Sequence, residues 1–294
     1  VTRFAPSPTG YLHLGHIANA VWTWGLAQAA GGRVLLRIED HDRGRCRPEF
    51  ERAILDDLDW LGLTPDPESR LSLEARPSPY RQSDNGALYG DTLRLLRARV
   101  QIFACRCSRK EIAARLAEDG LADWDELRYP GSCRSLGLTE GPGSGIRMMV
   151  EEETVEFTDL RLGAQRQRPA LQCGDLLLRD TTGSWTYQFC VTVDDWRSGV
   201  NLVIRGEDLL PSTGRQLLLG RRLGRATPPA FLHHPLIRAP GGGKLSKRDG
   251  ATGVRELRAA GRRPEDVLGQ AAYLTGLLPE PRPVAAAELG SLFG

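Results

Sequence analysis

Lysine is nearly missing from this chain. Of 39 basic residues, only Lys110, Lys244 and Lys247 are lysine and the rest are arginine. The ammonium is a compact point charge and the guanidinium a planar fork. A chain that otherwise uses arginine, yet sets two of its three lysines in one glycine-rich loop, needs ammonium groups there, unless the pair clusters by chance. Also missing is any uninterrupted apolar run approaching the roughly 18 residues of a membrane helix. The opening, VTRFAPSPTG, lacks the basic-then-apolar pattern of a secretory leader. A cytoplasmic protein with no membrane partner is the expectation. Excess charge of either sign is absent too: the net charge of +2 does not announce nucleic-acid binding, so an RNA would have to meet a local basic patch. One stretch qualifies, Arg238, Lys244, Lys247, Arg248, Arg255, Arg258, Arg262 and Arg263 against Asp249 and Glu256; a solvated helix face reads it equally well. Internal repeats and low-complexity tracts are absent.

What is present is a chain of 294 residues, 40% apolar and 26% charged, long enough for one large or two modest domains. Its six cysteines, at 46, 105, 107, 133, 173 and 190, are unevenly spaced in a chain that does not need disulfides, which predicts thiols. The first hundred residues alternate as in a parallel α/β sheet: a strand at Val1 to Ala5, a helix from Ile17, a strand at Arg33 to Ile38, then a helix with Pro48 in its first turn and Phe50, Ile54, Leu58 and Leu61 at helical spacing. Another helix starts near Asp84 and carries Leu88, Leu95 and Leu96. From Phe103 the pattern changes to a cysteine-containing stretch, a helix with Ser108 and Glu111 in capping-box spacing, and a glycine-rich segment, Gly141 to Gly145. This reads as an inserted subdomain. Strands are expected at Ile146 to Val150, Val155 to Thr158, Leu176 to Arg179 and Trp185 to Val193, with a turn at Thr182-Gly183. Val200 to Arg205 reads as a buried parallel strand and Pro211 to Leu223 as the helix after it. An apolar stretch, Phe231 to Ile237, precedes the loop Ala239 to Lys247, and a helix is expected over Pro264 to Leu277.

Two loops carry the chemistry. Pro6 to Gly10 forms a rigid turn that delivers His13 and His16 to a helix entrance, where unpaired backbone N–H groups and the positive dipole end suit a phosphate. Gly15 between them would let a flat ring or phosphate approach the backbone. Incidental or metal-binding histidines are the alternative. The second loop, Gly241 to Arg248, concentrates cations on flexible glycines, as suits a loop that closes over a polyphosphate; a surface linker is the bland reading. It lacks the spacing of a P-loop. Cys105, Cys107 and Cys133, with Tyr129 nearby in sequence, could hold zinc or be three buried thiols.

Together and in this order, His13-Leu14-Gly15-His16 and Lys244-Leu245-Ser246-Lys247-Arg248 resemble the HIGH and KMSKS signatures of class I aminoacyl-tRNA synthetases. Arg3 to His16, Arg37-Ile38-Glu39-Asp40 and Leu245 to Arg248 look like the glutamyl and glutaminyl branch. The resemblance implies an α/β, Rossmann-type catalytic domain with an inserted zinc-containing subdomain and a short helical C-terminal tail. The expected parts are 1–102, a Rossmann-type half carrying the HLGH loop; 103–175, an inserted zinc-binding, acceptor-like subdomain; 176–238, the second half; and 239–294, the KLSKR loop and helical stem, with no anticodon-binding domain. It further implies that Arg3, Phe4, Ala5, Pro6, Ser7, Glu39, Tyr187 and Arg205 seat glutamate, and that His13, Gly15, His16, Lys244 and Lys247 bind ATP with Mg²⁺. His13, His16 and Lys247 would carry catalysis, and Cys105, Cys107, Tyr129 and Cys133 one structural zinc. Charge logic suits the glutamate pocket independently: Glu39 can pair with the ammonium, and Arg3 and Arg205 with the two carboxylates.

Fewer than 50 residues follow Lys247, which resembles the short glutamyl-Q tRNA(Asp) synthetases. That likeness implies tRNA-independent activation of L-glutamate by ATP and transfer to the queuosine base of tRNA(Asp), by a monomer. A shortened glutamyl-tRNA synthetase charging tRNA(Glu), and a non-catalytic RNA-binding module, are the alternatives.

Overall fold

The structure, a computed structural model, describes residues 1–118, 126–237 and 253–294. Lys244, Lys247 and the rest of the glycine loop lie outside the described residues. In chain order the elements are β1 (Thr2–Phe4), α1 (Leu14–Ala29), β2 (Val34–Leu36), α2 (Pro48–Leu61), α3 (Pro67–Ser72), α4 (Gly86–Arg97), β3 (Ile102–Cys105), α5 (Arg109–Glu118), β4 (Gly145–Met148), β5 (Val155–Asp159), β6 (Gly163–Gln167), α6 (Pro169–Gln172), β7 (Leu176–Arg179), α7 (Tyr187–Arg197), β8 (Leu202–Gly206), α8 (Thr213–Leu223), β9 (Ala230–His234), α9 (Val254–Ala259) and α10 (Pro264–Leu274). Short 3₁₀ turns cover Gln82–Asp84, Glu207–Ser212 and Ala286–Phe293. The chain divides into two compact units. The first comprises 1–85, 199–210 and 229–294, the second 86–198 and 211–228.

In the first unit the strands run parallel. β1 pairs with β2, Arg3 opposite Leu35, and β8 with β9, Arg205 opposite His233. Asn201 and Leu202 donate their backbone N–H groups to the Val1 carbonyl, which sets the start of β8 beside the start of β1. α1 supplies the main apolar face: Ile17, Val21 and Trp24 are buried with Phe4, Leu36 and Ile38, and the helix packs against α10 and the C-terminal 3₁₀ turn. Burying a large apolar side chain stabilises by about 1.5–3 kcal/mol, so this helix anchors the unit. α2 is as the spacing predicts, with Pro48 in its first turn and Ile54, Leu58 and Leu61 buried.

The second unit holds an antiparallel sheet, β3-β4-β7, and the hairpin β5-β6. Among its helices, α4, α7 and α8 pack together. The capping box on α5 is formed: Ser108 N donates to Glu111 Oε2 at 2.7 Å and Glu111 N to Ser108 Oγ at 3.2 Å.

Several expectations are corrected. Trp185 to Val193 is no strand; from Tyr187 onward it is α7, buried along Phe189 to Asp195. A short apolar run rich in β-branched residues does not tell strand from buried helix. Here packing decides, with Trp185 and Phe189 stacked at 5.2 Å and Tyr89 Oη donating to Asp194 Oδ2 at 2.9 Å. α1 begins at Leu14 and not at Ile17, because His13 caps it. Leu95 lies on the solvent side of α4, whose inner face is Tyr89, Thr92, Leu93 and Leu96. Pro211 sits in a 3₁₀ turn, leaving α8 to start at Thr213, and α10 ends at Leu274. β6, polar along most of its length, gave no apolar signal.

One buried carboxyl makes the first unit's stability depend on pH. Asp57, on α2, is buried, faces Arg258 and Glu256 of α9, and its Oδ2 finds no hydrogen-bond partner among the described residues. Burial pushes it from 3.8 up to about 6; Asp56 and Glu256 add to the rise and Arg258 opposes it. The folded state therefore holds the extra proton between those values. Stability present in full below about pH 4 is lost as the pH rises through 6. Asp57→Asn is expected to leave stability nearly unchanged at pH 4 and to raise it at pH 8 by up to about 3 kcal/mol. Urea titrations at the two pH values measure this, and equal gains at both would show that ionisation of Asp57 costs nothing.

Candidate active site

His13 is the N-cap residue of α1, in extended conformation. Its Nδ1 accepts the Gly15 N–H at 3.1 Å, while His16 Nδ1 accepts the His13 N–H at 3.1 Å. The rings lie 3.9 Å apart. Accepting at Nδ1 fixes each neutral ring as the Nε2–H tautomer. The backbone N–H groups of His16 and Ile17 donate to the His13 carbonyl at 2.8 and 3.2 Å. This corrects the expectation of open backbone donors at the helix entrance. Those at 13, 15, 16 and 17 are used internally, so an anion there would be met through the imidazole Nε2–H groups. Gly15 has a reason within the chain itself, because a Cβ would come within 2.9 Å of His13 Cε1. The close-packed ring there is the protein's own.

The HLGH segment is tied to the chain that follows the glycine loop. His13 forms an antiparallel bridge to Gly253, and Val254 N donates to the Leu12 carbonyl at 2.9 Å. Arg255 Nη1 donates to Tyr11 Oη at 3.0 Å with its guanidinium carbon 5.1 Å from that ring, and Tyr11 packs edge-on against Phe50 at 5.0 Å. The chain from Gly253 to Arg255 is thereby fixed beside the two histidines.

Of the residues predicted to seat glutamate, Arg3 on β1, Glu39 just after β2 and Arg205 on β8 all lie in the first unit, each 5% exposed or less. Arg3 Nη1 lies 3.4 Å from the Ile204 carbonyl. Glu39 N donates to the Pro6 carbonyl at 3.1 Å, which lays the segment after β2 along the turn after β1. Arg205 Nε donates to His233 Nε2 at 3.0 Å and its guanidinium carbon stands 5.3 Å from the Phe231 ring centre. Ser7 and Ala5 are half-buried and Pro6 is buried in the same turn. The Phe4 ring belongs to the core, 5.3 Å from Trp24, and its carbonyl accepts the Arg37 N–H at 3.0 Å, so its part is to hold β1 and β2 together. Tyr187 opens α7 in the second unit. Two residues were missed. Arg37 pairs with Glu39 across 2.9 Å, both buried, and His233 orients Arg205. Alternation along Arg37-Ile38-Glu39 and the doublet His233-His234 in an apolar run were the available signals.

In the second unit the Sγ atoms of Cys105, Cys107 and Cys133 lie within 4.8 Å of one another. Cys107 and Cys133 are 3.4 Å apart, and Tyr129 Oη is 3.6 Å from Cys105 Sγ and accepts the Cys133 N–H at 2.8 Å. Two thiolates on one tetrahedral zinc stand ~3.8 Å apart, so the four side chains fit such an ion. Burial and the neighbouring Cys133 push the Cys107 thiol up to about 12, and burial with the Cys105 and Cys133 thiols pushes the Tyr129 phenol up as well. Burial also works to raise Cys133, but hydrogen bonds from Tyr129 and the Arg106 backbone outweigh it and leave that thiol lowered. Behind the cluster the Arg147 guanidinium lies 3.8 Å over the Tyr129 ring, and Arg134 grips buried Asp175 at 2.6 and 2.7 Å.

The family follows from comparison. Residues 1–280 match the model for class I tRNA synthetases (E and Q), catalytic domain. A glutamyl-Q tRNA(Asp) synthetase of Symbiobacterium thermophilum is 43% identical, over 99% of this chain and 91% of its own. Glutamate–tRNA ligase 2 of Alkalilimnicola ehrlichii is 42% identical over 93% of this chain, which spans 58% of that protein's length. Among solved structures, a glutamate tRNA ligase from Elizabethkingia meningosepticum in complex with its amino acid superposes with a TM-score of 0.82 at 29% identity, over all of this chain and 64% of that one. The chain therefore belongs to the class I tRNA synthetases of the glutamyl and glutaminyl branch, an enzyme family of mixed α/β catalytic domains. Within the branch, relatives matched over most of their own length include glutamyl-Q tRNA(Asp) synthetases. Among the described residues no helix is long and apolar enough to cross a membrane.

Gly174 controls the position of Tyr129. It adopts φ +67°, and a Cβ there would collide with the Tyr129 carbonyl oxygen. Gly174→Ala is expected to cost about 2–4 kcal/mol and to weaken Co²⁺ uptake by the cysteine cluster, read by thiolate-to-metal absorption alongside a thermal melt. Uptake equal to that of the unsubstituted protein would show that Gly174 does not set the Tyr129 ligand.

Proposed function

We propose that this enzyme activates L-glutamate with Mg²⁺–ATP, without tRNA, and transfers the glutamyl group to the queuosine base of tRNA(Asp). The observation that carries the glutamate reading is the buried set Arg3, Glu39 and Arg205. Glu39 would receive the α-ammonium, and the two guanidiniums the carboxylates, through charge-assisted hydrogen bonds. Glutamine would leave a buried guanidinium short of a partner, which is how such a site rejects an uncharged analogue.

In the activation step an oxygen of the substrate α-carboxylate forms a bond to the α-phosphorus of ATP, the bond to the bridging oxygen breaks, and pyrophosphate leaves with the electron pair. The protein need supply no nucleophile. His13 and His16 would hold phosphate oxygens through Nε2–H, and Lys244 and Lys247 would neutralise the charge that develops on the leaving group. The clasp of Arg255 on Tyr11 supports this reading, because Arg255 stands eight residues after Lys247 in the chain and next to the HLGH segment. Zinc on Cys105, Cys107, Tyr129 and Cys133 would contribute folding energy and no chemistry.

The acceptor reading is supported by the glutamyl-Q tRNA(Asp) synthetases among the relatives, one of them 43% identical, set beside a glutamate–tRNA ligase. The second reading, charging of tRNA(Glu), draws on the near-equal identity to that ligase, 42%. Labelled glutamate offered with ATP to queuosine-containing tRNA(Asp), unmodified tRNA(Asp) and tRNA(Glu) decides between them. Label on the first RNA alone is expected. Label on tRNA(Glu) would establish the second reading, and no label with no adenylate would leave a non-catalytic RNA-binding module.

Arg205→Gln is expected to lower kcat/KM for glutamate in ATP–pyrophosphate exchange by about 100-fold or more, with KM for ATP nearly unchanged. An equal loss in both substrates would place Arg205 outside the glutamate pocket.

A further inference from the structure

A cleft of about 320 Å³ opens between α10 and the segment that follows it. Its walls are fixed. A Cβ at Gly269 would collide with the Arg282 carbonyl oxygen, and Val284 N donates to the Glu265 carbonyl at 3.0 Å, so the returning chain lies hard against the helix. Pro281 and Pro283 stiffen the outer wall on either side of Arg282. The inner wall is one face of α10, where Asp266, Gln270 and Tyr273 follow one another at helical spacing.

The chemistry of this lining is specific. Asp266 is taken up in a two-point pair with Arg263, Nη2 to Oδ1 at 3.0 Å and Nε to Oδ2 at 3.2 Å. Arg262 makes no side-chain hydrogen bond or salt bridge among the described residues, and Arg282 makes only a 3.5 Å contact to the Pro283 carbonyl. Two guanidiniums thus border a rigid slot that also offers an exposed phenol ring, two proline faces and one amide. Guanidiniums recognise phosphate oxygens, a ring and prolines give a flat base something to stack on, and an amide can both donate to and accept from a base edge. At the low end of the roughly 300–1,000 Å³ span of ligand sites, the slot has room for one base and not for a large cofactor.

We propose that this cleft binds one unpaired nucleotide of an RNA, its base against Tyr273 and Gln270 and its flanking phosphates on Arg262 and Arg282. The site goes beyond the activation reaction and does not depend on which RNA receives the glutamate. It uses no residue of the HLGH segment or of the buried Arg3, Glu39 and Arg205 set.

Binding of fluorescent tRNA(Asp), and of unfractionated tRNA, is measured against salt for the unsubstituted protein, for R262E/R282E and for Y273A. Glutamate-dependent ATP–pyrophosphate exchange is followed in parallel. The charge-reversed pair is expected to bind RNA at least tenfold more weakly, with a salt slope shallower by about 1–2. Y273A should lose about fivefold or more, and exchange should stay unchanged in all three. Where the reversed pair disturbs exchange, the neutral R262Q and R282Q carry the same comparison. RNA affinity and salt slope equal to those of the unsubstituted protein, or no binding of either RNA preparation, overturns the proposal. Saturable binding of AMP that these substitutions weaken while RNA affinity stays constant overturns it too, in favour of a free nucleotide. The unfractionated arm separates this outcome from an error about tRNA(Asp), and exchange separates it from an error about activation.

Discussion

Charge buried away from water is the constraint around which the first unit is organised. Arg3, Arg37, Glu39, Asp40 and Arg205 are each 7% exposed or less, and an uncompensated buried ion costs several kcal/mol. Each is therefore answered locally: Arg37 by Glu39, Asp40 by the Ser83 N–H at 2.7 Å, Arg205 by His233, and Arg3 by the Ile204 carbonyl. Apart from Ser83, in the 3₁₀ turn Gln82–Asp84, these residues sit on β1, β8 and β9 or just after β2, so strand order and register are held by polar contacts as well as by the apolar face of α1. Three guanidiniums against two carboxylates leave this set at +1, and glutamate, with two carboxylates and one ammonium, carries −1. The charge that is costly to bury is the complement of the proposed substrate.

At the other loop, one pair of side chains closes the helix entrance and, in the proposed function, would also meet the phosphates. A helix entrance would ordinarily take Ser, Asp or Asn as its cap; here His13 and His16 cap α1 reciprocally through Nδ1. Each neutral ring then carries its proton on Nε2, the nitrogen that did not enter the cap. A hydroxyl or carboxylate could cap equally well but would bring no N–H donor to a phosphate. The bridge from His13 to Gly253, with Arg255 on Tyr11, extends the same economy, because the chain that follows the lysine loop returns to the residues that begin α1.

Sequence alone made much of this legible, for identifiable reasons. Rigid prolines, paired histidines and a Cys-x-Cys pair are local patterns, and the side chains of Arg3, Glu39 and Arg205 are of the types a glutamate pocket requires. The failures came where packing overrode a local signal. Val191, Thr192 and Val193 favour a strand by shape, yet contacts at Phe189 and Asp194 hold them in α7. Open N–H groups were expected at α1 because helix ends usually leave them, and imidazoles are uncommon caps. His233 was invisible because its role depends on a parallel register that sets it opposite Arg205, a relation between residues 28 apart in the chain. Gly15 suggests room for a ligand by its lack of a side chain, but the nearest occupant is His13 itself.

The cysteines bear on what kind of catalysis the first unit can support. Its one cysteine is Cys46, which burial raises to about 11, with Asp40 and Asp42 adding to the rise and Arg45 opposing it. At neutral pH the thiol form therefore prevails, and the thiolate, which is the reactive form, is scarce. The lowered thiol, Cys133, belongs to the second unit and to a cluster whose spacing suits a closed four-ligand ion. Thiol nucleophilicity is thus suppressed in the unit with the buried charges, and the lowered thiol of the other unit sits in a cluster that could hold an ion. That division suits a reaction in which the substrate carboxylate is its own nucleophile and the protein contributes position and charge.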